Sequence, residues 1–152
     1  MTTLNPALTG ALVALGGTII NAMNDNPEFV PCGRPAGIVM GNVQALGLNL
    51  SDEEYAARAN QVLALADHVG DHHGARVEPA YDASALSPVK EHLLDALIEL
   101  SATTLPALER GINDRQVSAF FYRSLAAIAG EDKDAAGQLD QLADIAKVAF
   151  AL

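Results

Sequence analysis

Residues Asp67 to Gly74 read DHVGDHHG, which gathers two aspartates and three of the chain's four histidines into eight residues. On a helix that continues through this stretch, His68 and His72 are four apart and share a face, as do Asp67 and Asp71. Imidazole nitrogens at that spacing can chelate zinc, iron or nickel. The hydrolytic pattern HExxH sets a glutamate directly after the first histidine. Here Val69 stands in that place, and Gly70 weakens the helix between the two rings. A fuller site needs a third ligand. His92 is the remote candidate, with Asp71 or Asp95 as a further ligand or general base. A metal such as zinc held there would lower the pKa of bound water, the chemistry of a metal-dependent hydrolase or a metal-binding bundle. The plainer expectation is a polar helix end, where histidines suit the negative pole of the dipole.

A second set is Glu91, Asp95 and Glu99, spaced by four, with His92 beside it. Three like charges in one stripe repel and seek water, a cation or a basic partner. Di-metal bundles use Glu-x-x-His, and that order occurs nowhere in the chain. Cys32, in VPCGRPAG, precedes a helix start and lies near Arg34, two features that lower a thiol pKa. It is the candidate reactive thiol, although a nucleophile also needs a positioned base. Phe120 and Phe121 are expected in the core. No phosphate-binding loop, dinucleotide fingerprint, nucleophile elbow or paired CxxC is present, and no catalytic residue is assigned.

The elements that carry these residues read as helices. Half of the 152 residues are apolar, 28 are alanine and none is tryptophan, a balance that favours helix over strand. Asn5-Pro6 opens helix 1, which is uncharged to about Met23; a helix apolar all round is buried in the core or at a subunit contact. Residues 24–35 form a loop. Helix 2 runs from about Pro35 to before Gly47, and its glycines at 33, 37 and 41 suggest close packing on helix 1. Ser51 and Glu54 form a capping box for helix 3, with Gly70 as the expected stop. Residues 74–87 read as irregular, with a short turn near Ala83 to Leu86. Ser87-Pro88 opens helix 4, which Pro106 should break or kink and Gly111 end. Asn113 with Gln116 caps helix 5, Gly130 ends it, and helix 6 follows from about Asp132. The expectation is an all-α, compact single-domain bundle of five or six helices over residues 1–152.

The net charge of −10 and pI near 4.6 oppose direct binding to nucleic acid and favour solubility or a basic protein partner. No positively charged leader precedes the apolar run, and that run lacks flanking cations, so neither secretion nor membrane insertion is expected. One cysteine permits no internal disulfide, in keeping with the cytoplasm. Together these features suggest a small acidic, non-enzymatic protein that acts by protein–protein contact, as inhibitors, immunity proteins and phage accessory or assembly factors do. Such a protein would carry no cofactor and would self-associate through helix 1 or 2. Glu91, Asp95 and Glu99 are the candidate partner face.

Overall fold

A computed structural model describes residues 4–29, 34–81, 87–109 and 115–151. They form six helices, α1 (Pro6–Asp25), α2 (Arg34–Ala45), α3 (Asp52–His72), α4 (Pro88–Glu109), α5 (Arg115–Ala129) and α6 (Asp132–Ala151). The fold is an all-α bundle, with no strand among the described residues. A continuous cluster of buried apolar side chains draws on all six helices.

The helix starts follow local chemistry. Asn5 Oδ1 accepts from the Leu8 amide at 3.1 Å, and Pro6 fills the first helical position, where no amide partner is needed. Ser51 and Glu54 close a reciprocal capping box: Ser51 Oγ accepts from the Glu54 amide at 3.2 Å, and Glu54 Oε2 accepts from the Ser51 amide at 2.9 Å. Ser87 Oγ accepts from the Lys90 amide at 3.3 Å and caps α4.

Helix α1 is the central element. Thirteen of its twenty residues are buried, and it packs on α3, α5 and, more lightly, α2. By length and composition it could cross a membrane, yet most of it lies inside this fold. The burial that its uncharged surface demands is therefore met within one chain, by α3, α5 and the segment that follows α3. Gly16 admits α5 closely: a Cβ there would sit 2.7 Å from Leu125 Cβ. The α2 glycines serve no such approach to α1. Helix α2 packs mainly on α4, Gly37 faces Leu105 of α4 at 4.0 Å, and a Cβ on Gly41 would meet nothing within 4 Å.

One expected helix stop does not act as a stop, and Pro106, expected to break or kink its helix, does not end it. Helix α3 passes through Gly70 to His72. Helix α4 passes through Pro106 to Glu109. Pro106 and Ala102, whose carbonyl loses its amide partner, are both exposed, so water can replace the missing bond. The turn expected at residues 83–86, the Gly111 stop, the Asn113–Gln116 cap and Gly33 lie outside the described residues or side chains.

Residues 74–81, which follow α3, form an extended strap. Gly74 meets Ala22 near the end of α1, Val77 covers Gly17, and Pro79 and Tyr81 lie over Gly10. The strap thus runs back along α1 toward its start. Asn21 Nδ2 donates to the Ala75 carbonyl at 3.0 Å, and the Val77 amide donates to Thr18 Oγ1 at 2.9 Å. Thr18 is fully buried and passes its own hydroxyl proton to the Ala14 carbonyl at 2.8 Å, so its oxygen joins helix and strap.

Candidate functional site

The histidine-rich stretch is the last turn of α3 and the hinge into the strap. Most of its groups have an identifiable contact. A Cβ on Gly70 would lie 2.9 Å from Arg76 Cβ, so the glycine makes room for the strap. Arg76 Nε pairs with Asp67 at 2.6 Å, and its Nη1 with Glu78 at 3.1 Å. His73 caps α3 through its amide, which donates to the Val69 carbonyl at 2.8 Å, and its ring stacks on Phe29 with centroids 4.4 Å apart. His68 and His72 are exposed, and their rings stand 4.3 Å apart.

The wider metal set is not assembled. His92 and Asp95 are exposed on α4, which packs on α2, α5 and α6 and makes at most a marginal contact with α3. Among the described residues no three of His, Cys, Asp and Glu gather into a metal-sized cluster. The His68, His72, His92, Asp71 and Asp95 constellation is thus divided between two helices that the topology keeps from packing together. Cys32 lies outside the described residues.

The acidic set on α4 also divides. Asp95 and Glu99 are exposed and form no ion pair among the described residues. Glu91 is partly buried and faces Tyr81: burial of the Tyr81 phenol, and then the negative charge of Glu91, raise its pKa above the ordinary 10.0. The two exposed carboxylates therefore face solvent, while Glu91 belongs to the packing of the strap.

A feature the sequence did not single out adjoins them. The α2–α3 loop carries Leu48, 56% exposed and the exposed large apolar side chain of the described residues. The loop is held from below by the Tyr55 hydroxyl, which donates toward the carbonyls of Ala45, at 3.3 Å, and Leu48. Beside Leu48 is an open depression of about 500 Å³, lined by Leu4, Pro6, Leu46, Leu50, Asp52 and Tyr55 among others. A Cβ on Gly47 would touch Ile98 Cγ2 at 3.5 Å, and Ile98 precedes Glu99 in α4. The loop therefore touches α4 at the residue before Glu99, and Leu48 shares its depression with the exposed Asp52. The only sequence signal for it was a leucine between glycine and asparagine in a loop.

Phe120 and Phe121 are core residues, as their spacing suggested, at 4% and 0% exposure. No family model, curated protein or solved structure matches the chain.

Proposed function

We propose that this chain is a binding protein that docks a basic protein surface through the Leu48 loop and the carboxylates around it. The observation that supports this reading is the placement of Leu48: an exposed apolar side chain that lines one depression with Asp52 of α3, in a loop whose Gly47 meets Ile98, the residue before Glu99 in α4. Protein interfaces concentrate binding energy in a few central anchors, while a rim of complementary charge raises the association rate and sets specificity. Leu48 has the chemistry of the anchor and the carboxylates that of the rim. A partner with lysines and arginines about an apolar hollow is the complementary surface. A phosphate backbone is not, because a net charge of −10 repels it.

The test is capture of partners from the source cell on immobilised protein, followed by titration of the captured partner against purified variants. Leu48→Ser should slow nothing in association but shorten the lifetime of the complex. Asp95→Lys with Glu99→Lys should lower the association rate and flatten its salt dependence. A partner whose affinity is indifferent to both changes would overturn the assignment of this face.

A further inference from the structure

We propose that His68 and His72 form a two-imidazole chelate for a divalent transition metal, Zn²⁺ or Cu²⁺, on the exposed face of the last turns of α3. This site is separate from the Leu48 face and does not depend on it.

Three observations carry the proposal. The rings lie one turn apart on one face, both exposed, with centroids 4.3 Å apart and planes tilted by 36°. A tetrahedral metal about 2.0–2.1 Å from each nitrogen needs the two nitrogens roughly 3.3 Å apart. Both rings are exposed, so rotation of the His68 side chain can set that separation while His72 stays in place. Second, His72 Nδ1 lies 2.8 Å from the His68 carbonyl oxygen. A carbonyl only accepts, so Nδ1 carries the proton and Nε2 keeps its lone pair for a metal. This is the outer-shell bond that orients metal-bound histidines. Third, the surrounding charge suits a cation. Asp71 is exposed between the two rings in sequence, and the basic group nearest the site, Arg76, is already paired with Asp67 and Glu78.

Neither remaining histidine joins. His73 is stacked on Phe29, and His92 is on α4. Water completes the coordination sphere, so the metal is exchangeable. The affinity order for such nitrogen ligands puts Cu²⁺ above Zn²⁺.

The experiment is calorimetric titration of the untagged full chain with zinc and copper chloride, set beside His68→Ala, His72→Ala and His72→Gln. His92→Ala is the control for a lone exposed histidine. One ion per chain is expected, bound more tightly for copper. Each change at His68 or His72 should weaken binding by about tenfold or more, since even outer-shell changes act on that scale. His92→Ala should match the parent. Melting temperature without metal should be alike in all variants, because both rings are exposed, and zinc should raise it only in the parent and His92→Ala. Absence of stoichiometric binding by the parent, or full affinity in His68→Ala, would overturn the proposal.

Discussion

Gly70 lies beneath Arg76 with no space for a side chain: a Cβ on the glycine would come within 2.9 Å of Arg76 Cβ and 3.4 Å of its Cα. The same arginine turns back to pair with Asp67 one turn earlier on α3. The glycine at the centre of the histidine stretch is therefore a docking point for the strap. This explains why a helix-weakening residue sits between two residues that share a helix face.

Gly70→Ala is expected to destabilise the fold. Overpacking of this kind costs about 1–3 kcal/mol. The gain from alanine's helix propensity is at most about 1 kcal/mol, and less near a helix end. Urea denaturation should show a lower midpoint, and amides of the strap should exchange faster than in the parent. A midpoint at or above the parent's would contradict this account of Gly70.

The glycines of α1 and α2 should respond in opposite directions. Gly16→Ala drives a Cβ to 2.7 Å from Leu125 Cβ and 3.1 Å from the Tyr122 carbonyl, so α5 must move, at a cost of about 2–3 kcal/mol. Gly41→Ala meets nothing within 4 Å and should stabilise by about 0.5–1 kcal/mol through helix propensity alone. Thermal melts of the two variants would test the contrast, and loss of stability in Gly41→Ala would be evidence of a contact that this fold lacks.

Two tyrosines should also part ways on conversion to phenylalanine. Tyr55→Phe removes a donor to the Ala45 and Leu48 carbonyls and should cost about 1 kcal/mol. The Tyr81 hydroxyl is buried with no partner among the described residues, so Tyr81→Phe should be neutral or stabilising, because it removes an unsatisfied polar atom. A pH dependence follows from the same residue. The Tyr81 phenol has a raised pKa in the folded chain, so its contribution is fully present below 10.0 and lost as pH rises through the folded value. Above pH 10 the parent should therefore lose stability faster than Tyr81→Phe. Parallel alkaline melting curves for the two would show that Tyr81 ionises equally well folded and unfolded.

Much of the helical frame was legible in the sequence because helix ends are local chemistry. Asn5-Pro6, Ser51 with Glu54, and Ser87-Pro88 each satisfy orphan amides with their own side chains, and each start is where those residues put it. The stripe Val117, Phe120, Phe121, Ser124 and Ile128 is buried as its spacing requires. Gly70 misled as a stop because it was weighed as a local helix breaker, and Pro106, expected to break or kink α4, does not end it. Tertiary contact with Arg76 accounts for the first, and exposure near a helix end for the second. The strap was illegible for a different reason. An extended segment has no period, and its binding groove is marked by Gly10 and Gly17, sixty to seventy-one residues away in sequence. The wider metal set is divided for the same reason: spacing set His68 and His72 on one face of α3, but His92 and Asp95 are on α4, whose main packing is on other helices.

The dependence of α1 on distant partners bears on how the chain is made. Its α3 contacts become available once about half the protein has left the ribosome, but the face that receives Leu125 waits for α5. Until then the nascent chain carries an uncovered greasy ridge, the kind of surface that associates wrongly in crowded surroundings and that chaperones hold. Folding during synthesis should thus stall with α1 half covered until α5 has been made.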